Sequence, residues 1–266
     1  MTLHRFYIDP AQWDPAHPVL DEAESRHASE VLRLREGGLI SVFNGEGDEI
    51  HARIFQQGKR STLLTAESHH HHPAPAVRIW LAQAIPKGKN MDLVLQKATE
   101  LGAAGIFPLL TERTVVKLDA AEATDKQEKW QRMVIEACKQ CGQNHLPTVH
   151  LPQSIGSFLR HVPEAGLRLI AALTPEARPL HEILRSLPDR PRSALILIGP
   201  EGDFTPGEVS EAEAAGCLPL SLGPLILRTE TAAMHALGIT SYELSRLNGA
   251  LQTQAGDRAP SPITAG

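Results

Sequence analysis

The sequence predicts an α/β protein in which a small β-barrel precedes a larger domain built on a parallel sheet. The first 72 residues hold short apolar segments separated by turn residues, which is typical of small barrels. From residue 77 onward, apolar strands alternate with amphipathic helices, which is the pattern of a parallel sheet. The segment 193–198 ends in four consecutive large apolar residues, as expected for a strand covered on both faces.

In the first 72 residues, enrichment in apolar and β-branched residues predicts strands at 4–9, 39–43, 49–55 and 61–65, with a hairpin loop at 44–48. Apolar spacing predicts a helix over 22–34 that buries Ala23, His27, Val31 and Leu34, before two glycines end it. Four consecutive histidines at 69–72, followed by prolines, are interpreted as a polar linker rather than a metal site. The domain boundary is therefore placed between residues 72 and 73.

In the second domain, strands are predicted at 77–84, 105–110, 167–173, 193–198 and 218–222. Helices are predicted at 91–101, 125–141, 180–187 and 230–247, and another begins after Thr205 and ends at Gly216. We expect Asn90 to cap the first of these helices and Thr229 the last. Thr205 and Glu208 have the spacing of a capping box. Residues 249–266 are rich in small and polar residues, which predicts a disordered tail.

The composition excludes some classes of protein. The 266 residues include three cysteines, too few for a disulfide scaffold, and contain no apolar run long enough to span a membrane. The first residues do not resemble a signal peptide. We therefore expect a cytoplasmic protein with no membrane partner. The net charge of −5 gives no overall attraction to nucleic acid, although a local basic face can still bind phosphates.

Two turns carry the candidate chemistry. Gly199-Pro200-Glu201-Gly202 follows the strand 193–198, and it matches neither a Walker loop nor a dinucleotide fingerprint. Its glycines allow a ligand to approach the backbone, at the end of the strand where open α/β sheets bind ligands. The second turn leads to Arg228, a cation at a helix start that the helix dipole disfavours. Two neighbouring turns of this kind predict a pocket with an anionic ligand or partner; an ordinary turn and a solvated arginine are the alternatives.

Basic residues predict a phosphate-binding surface, with a merely solvated set of charges as the alternative. The candidates are Arg26, Arg33, Arg35, Lys87, Lys89, Lys97, Arg113 and Lys139. Cys138 and Cys141 have the spacing of half a zinc site, but they close a helix and lack a second ligand pair. We interpret both cysteines as core residues, and no metal site is predicted.

Together these segments resemble the RsmE family of SPOUT-class ribosomal RNA methyltransferases. The resemblance covers almost the whole chain, and its most specific motifs are Gly199-Pro200-Glu201-Gly202 and Leu227-Arg228-Thr229-Glu230-Thr231. Further matching segments lie at 4–7, 26–27, 31–35, 96–102, 106–109, 112–113, 138–142 and 222–224.

The resemblance implies a PUA-like barrel that helps to hold RNA, and a SPOUT domain with a deep trefoil knot that forms a homodimer. It implies methylation of N3 of a uridine in 16S ribosomal RNA of the small ribosomal subunit, with S-adenosylmethionine as the cofactor. The cofactor would be bound by Leu173, Gly199, Pro200, Glu201, Gly202, Leu222, Gly223, Leu227, Thr229 and Thr231. Arg228 would stabilise charge on the uracil, and Glu201, Glu230 or solvent would take its proton.

The chain departs from the family pattern at Leu225, Gln143 and His145, where positively charged residues are common. Lys139 stands where an acidic residue is common and restores one positive charge. These departures bear on RNA affinity more than on cofactor binding. A SPOUT methyltransferase acting on another RNA site or on a ribose 2′-hydroxyl, and a non-catalytic RNA-binding or ribosome-assembly protein, are the alternative functions.

Overall fold

The computed structural model describes residues 3–58 and 60–249. In that part of the chain, the first sheet has five strands in the order β1-β3-β4-β5-β2. They are β1 (Arg5–Tyr7), β2 (Val19–Leu20), β3 (Leu39–Phe43), β4 (Asp48–Gln57) and β5 (Thr62–His71). β1 pairs in parallel with β3, and the other pairs are antiparallel. The predicted hairpin between β3 and β4 is confirmed; the predicted tail lies outside the described residues, apart from Gly249.

The predicted helix over 22–34 is shorter and winds differently. An α-helix, α1 (Glu22–Arg26), passes into a π-helical turn over His27–Val31. The predicted stripe is therefore only partly correct: Leu34 packs against the core of the first sheet, whereas Ala23 is exposed. Val31 is 66% exposed, whereas Glu24, Ser25 and Ala28 are buried.

The histidine tract is not a linker. β5 continues to His71 and pairs with β4, placing His71 opposite Asp48. The Nδ1 atom of His71 and the Nε2 atom of His69 lie 2.9 and 3.2 Å from the Asp48 carboxylate. The prediction failed because hydrogen bonds to β4 can hold a strand that lacks apolar alternation. No group of three or more His, Cys, Asp or Glu side chains suited to a metal occurs among the described residues.

The second sheet confirms the predicted parallel architecture, since every strand pair described in it is parallel. Its order is β11-β13-β10-β12-β6-β7-β8, and β9 also pairs with β7. The strands are β6 (Arg78–Ala84), β7 (Ala103–Leu110), β8 (Thr148–Val149), β9 (Gln153–Ser154), β10 (Leu167–Ala171), β11 (Arg178–Pro179), β12 (Ser193–Ile198) and β13 (Leu218–Ser221).

Helices cover both faces of this sheet, which explains the apolar run in β12. Ile196 and Ile198 pack in the larger core with α2 (Asn90–Glu100), α3 (Ala120–Cys141), α5 (Leu180–Ser186) and α7 (Thr229–Leu247). Leu195 and Leu197 pack on the opposite face with α4 (Ile155–Arg160) and α6 (Pro206–Ala214). No helix in the described ranges is both long and apolar enough to cross a bilayer.

The helix starts confirm one predicted cap and correct two. The capping box of α6 forms between Thr205 and Glu208 as predicted. Asn90 and Thr229 are instead the first helical residues, so the caps of α2 and α7 are Lys89 and Arg228, neither of which caps through its side chain.

The prediction that Cys138 and Cys141 are both core residues is confirmed for the first and wrong for the second. In α3, Cys138 is buried whereas Cys141 is exposed. The helix ends at the left-handed Gly142, directly after Cys141, so that side chain lies at the rim of the core rather than inside it.

Buried charges join the two domains. Lys139 of α3 forms an ion pair with Glu24 of α1, and its ammonium group also lies 2.7 Å from Glu136. Phe43 of β3 packs into the larger core of the second domain. Burial, opposed by the Lys139 ammonium group, raises the pKa of Glu24 to about 7.

This raised pKa predicts a pH-dependent stability. Glu24 has an ordinary pKa of 4.5 and a folded pKa of about 7, so the folded chain binds more protons than the unfolded chain in that interval. The stabilisation is complete below pH 4.5 and is lost as the pH rises through 7, with an upper bound of about 3 kcal/mol. Equilibrium urea unfolding at several pH values measures the slope of the free energy of unfolding against pH. Glu24→Gln should flatten it, whereas the exposed Glu22→Gln should not, and equal slopes in Glu24→Gln and wild type would contradict the assignment.

Candidate functional site

A cavity of about 430 Å³ lies where β10, β12 and β13 end, and the start of α7 closes one side of it. The carboxyl ends of parallel strands are the usual ligand site in open α/β sheets, and this volume lies within the range of small-molecule pockets. The structure places most of the predicted cofactor residues on its wall: Leu173, Gly199, Pro200, Glu201, Leu222, Gly223, Leu227 and Thr229.

Two of the predicted cofactor residues do not line the cavity. The carbonyl oxygen of Gly202 accepts a hydrogen bond of 2.5 Å from the Arg113 guanidinium, and a Cβ atom at Gly202 would lie 3.3 Å from the Arg113 side chain. Thr231 is an exposed residue in the first turn of α7. Arg113, predicted to contact RNA, thus supports the glycine turn in this structure.

Thr229 is the buried junction between the two turns. Its hydroxyl group donates a hydrogen bond of 2.6 Å to the carbonyl oxygen of Gly199 and accepts one of 3.0 Å from Gln83 Nε2. Gln83 is fully buried at the end of β6 and also donates to the carbonyl oxygen of Ala84. Thr229 therefore does not cap α7 through its own side chain but fixes that helix start against the turn after β12.

Asp203 is a functional residue that sequence reasoning missed. It is one of two non-glycine residues with positive φ in the described ranges, at 61°. Its carboxylate accepts hydrogen bonds of 2.9 Å from the amide of Leu173 and 2.8 Å from that of Phe204. It thereby ties the loop after β10 to the turn after β12. An aspartate next to a glycine turn was the available signal, because aspartate tolerates the left-handed conformation.

The remaining wall is mostly apolar and was also missed. It is formed by Ala171, Ala172, Thr174, Pro175, Ala177, Ile198, Leu220, Ser221, Leu225, Ile226 and Ala232. Leu225 and Ile226 are 74% and 83% exposed, and Leu173 is 68% exposed. Large apolar side chains exposed together beside a cavity indicate a surface that a ligand or partner covers.

Arg228 is exposed directly before α7, and its side chain has no hydrogen bond or ion pair within the described residues. The two candidate proton acceptors both contact the loop between β6 and α2. Glu201 Oε1 accepts a hydrogen bond of 2.9 Å from the amide of Lys87. Asn90 Nδ2 approaches Glu230 Oε2 at 3.5 Å. The guanidinium group is thus free to bind an anion, whereas both carboxylates have partners.

The predicted basic surface is only partly available. The Lys139 side chain is largely buried and forms ion pairs with Glu24 and Glu136 at the domain interface, so its charge is already engaged there; its contact with RNA stays a prediction. Arg26 and Lys97 form exposed or half-exposed ion pairs within their own helices. The remaining four predicted residues are exposed without ion pairs among the described side chains: Arg33, Arg35, Lys87 and Lys89.

The departure from the family pattern at His145 lies at the domain interface. His145 Nε2 lies 3.0 Å from the carbonyl oxygen of His72 and 3.1 Å from that of Pro73. Leu225, by contrast, is part of the cavity wall.

Comparison with protein families gives two matches. Residues 72–241, more than half of the chain, match the model of the RNA methyltransferase domain. Residues 20–66 match the model of the RNA methyltransferase PUA domain. The PUA match falls within the first, five-stranded sheet, and the methyltransferase match contains the parallel sheet.

Individual proteins are similar over most of the chain. The ribosomal RNA small subunit methyltransferase E of Bacillus subtilis is 32% identical over 257 residues, covering 93% of this chain and 99% of the relative. A methyltransferase structure from Legionella pneumophila with bound SAM is 35% identical, with a TM-score of 0.82, covering 93% of this chain and 98% of the other. The ribosomal RNA small subunit methyltransferase E structure from Neisseria gonorrhoeae is bound to S-adenosyl methionine and is 30% identical, with a TM-score of 0.81. The match covers 91% of this chain and 98% of the other.

Proposed function

Since the chain belongs to the RNA methyltransferase family whose curated members are named ribosomal RNA small subunit methyltransferase E, we propose that it methylates N3 of one uridine in 16S ribosomal RNA, with S-adenosylmethionine as the methyl donor. The observation that carries the proposal is the cavity between the turn 199–203 and the start of α7, with an unpaired arginine next to it.

The residues of the cavity fit the cofactor. A Cβ atom at Gly199 would lie 3.1 Å from Asp203 Oδ1 and 3.2 Å from the Phe204 amide nitrogen, so the close packing of the turn favours glycine there. The wall combines apolar side chains with backbone groups of three strand ends, which suits a ligand with both an apolar and a polar part. Leu173, Leu222 and Leu227 would contact the apolar part. When bound, the cofactor supplies an activated methyl group on a sulfonium sulfur.

The chain's own contribution to the reaction is positioning and charge stabilisation. Holding the uracil ring in line with the methyl group removes much of the entropic barrier. Loss of the N3 proton leaves negative charge on the uracil oxygens, and the Arg228 guanidinium group is the cation available to stabilise it. The acceptor of the proton is Glu201, Glu230 or water.

The proposal includes an RNA-binding role for the PUA-like domain, where Arg33 and Arg35 are exposed cations. It also includes a homodimer, supported by the exposed apolar side chains of Leu225 and Ile226, and a cytoplasmic location. A trefoil knot in the methyltransferase domain belongs to the same proposal. Sedimentation of the purified protein tests the dimer.

Labelled S-adenosylmethionine tests the reaction. The purified protein is incubated with small ribosomal subunits from a strain that lacks this modification, and the RNA is then digested to nucleosides. We expect label in 3-methyluridine. Label in a 2′-O-methylated nucleoside or in another RNA would show that the protein methylates a different position from the one proposed. Cofactor binding without transfer to any RNA tested would contradict the proposed substrate, and neither binding nor transfer would favour a non-catalytic RNA-binding protein.

A further inference from the structure

The loop 86–90, between β6 and α2, lies beside the cavity and carries two exposed lysines, Lys87 and Lys89. Gly88 in its middle has a φ of 66°, and a Cβ atom there would meet no atom within 4 Å. The loop is therefore open to solvent on this side. Holding a basic loop of this kind in place lowers the entropic cost of its binding to RNA.

Among the described residues, the loop is held by the burial of Pro86 and by contacts with Glu201 and Glu230. The amide of Lys87 donates to Glu201 Oε1 at 2.9 Å, which joins positions 114 residues apart in the sequence. The Asn90 side chain makes the longer contact of 3.5 Å with Glu230. Glu201 lies on the cavity wall, and Glu230 lies in the first turn of α7, which closes one side of the cavity. The loop is therefore attached to the elements that form the cavity.

We propose that Glu201 is a positioning residue: its carboxylate anchors the loop 86–90 at the edge of the cavity, so that Lys87 and Lys89 meet the phosphates of the substrate RNA. The inference rests on the proposed function for its substrate. In this role Glu201 anchors the loop through one carboxylate oxygen and transfers no proton. Uridine N3 would then lose its proton to water or to Glu230.

Two substitutions of Glu201 distinguish a role in anchoring the loop from a role as a general base. Glu201→Gln keeps a carbonyl oxygen that can accept the Lys87 amide hydrogen but cannot serve as a base at neutral pH. Glu201→Ala removes both abilities. Glu201 is exposed, so neither change should unfold the chain. Glu213→Ala, on the exposed side of α6, is the matched control for loss of a surface carboxylate.

The first readout is hydrogen exchange of residues 86–90 in the full chain without RNA or cofactor. We expect Glu201→Ala to speed exchange of the Lys87 amide by about fivefold, the effect of losing one hydrogen bond of ordinary strength. Glu201→Gln and Glu213→Ala should match wild type. Because this readout needs no activity, it remains valid if the protein proves not to methylate ribosomal RNA.

The second readout is steady-state methylation of small subunits. We expect Glu201→Ala to raise KM for the subunits with a smaller change in kcat, and Glu201→Gln to raise KM less than Glu201→Ala does. Glu213→Ala should keep both constants within about twofold of wild type, with the same pH profile. Two outcomes would overturn the proposal. One is loss of kcat in Glu201→Gln as large as in Glu201→Ala, which identifies a base. The other is unchanged exchange and unchanged KM in Glu201→Ala.

Discussion

Replacing Arg228 with alanine should lower kcat on the order of 100-fold, the loss typical when one group that stabilises developing charge is removed. The affinity for S-adenosylmethionine should stay close to that of wild type, because Arg228 is not on the cavity wall. Folding should be unaffected, since the exposed side chain has no partner within the described residues. Single-turnover methylation and calorimetric cofactor binding measure the two quantities separately.

Arg228→Lys is the matched control. Lysine keeps the positive charge but lacks the planar fork of donors, so its rate should fall between those of wild type and Arg228→Ala. Unchanged turnover in Arg228→Ala would remove this residue from the mechanism. An equal loss of turnover and cofactor affinity would instead make it a cofactor-binding residue.

Replacing Thr229 with valine should destabilise the protein by about 1–3 kcal/mol and weaken cofactor binding severalfold. The change keeps the side-chain shape but leaves the Gly199 carbonyl oxygen without its 2.6 Å donor and Gln83 Nε2 without one of its acceptors. The two turns that form the cavity would lose their buried connection. Equilibrium unfolding and calorimetry measure both effects.

Thr240→Val makes the same substitution at another fully buried position of α7. The Thr240 hydroxyl group has no hydrogen-bond partner among the described residues, so its removal should be neutral or slightly stabilising. If both variants lost stability equally, the effect would come from the helix and not from the contact with Gly199.

Much of the fold follows from local pattern. The central strand 193–198 and the capping box at Thr205 appear as predicted, because burial on both faces and a short-range cap leave a signal within a few residues. The strand that contains the histidines leaves no such signal. Its position depends on pairing with β4, in which His71 lies opposite Asp48, 23 residues earlier in the sequence.

The candidate site also combines features that local sequence predicts with features that depend on tertiary contacts. The glycine turn at 199–202 and the position of Arg228 at a helix start could be recognised from residue type and order. That Asp203 would hold the Leu173 amide, or that Lys139 would be neutralised by Glu24, could not. Both depend on pairs of residues brought together only when the chain is folded.

The sequence by itself determined the α/β class, the order of barrel and parallel sheet, and the two turns at the strand ends, because hydrophobic periodicity, glycine positions and caps are local properties. Only the tertiary structure decided which charges remain free. It paired Lys139 with Glu24 at the domain interface, engaged Glu201 and Glu230 with the loop 86–90, and left the Arg228 side chain without a partner among the residues that the structure describes. The physical reason is that an ion pair or hydrogen bond acts over a few ångströms in space, whereas its partners can lie anywhere along the chain.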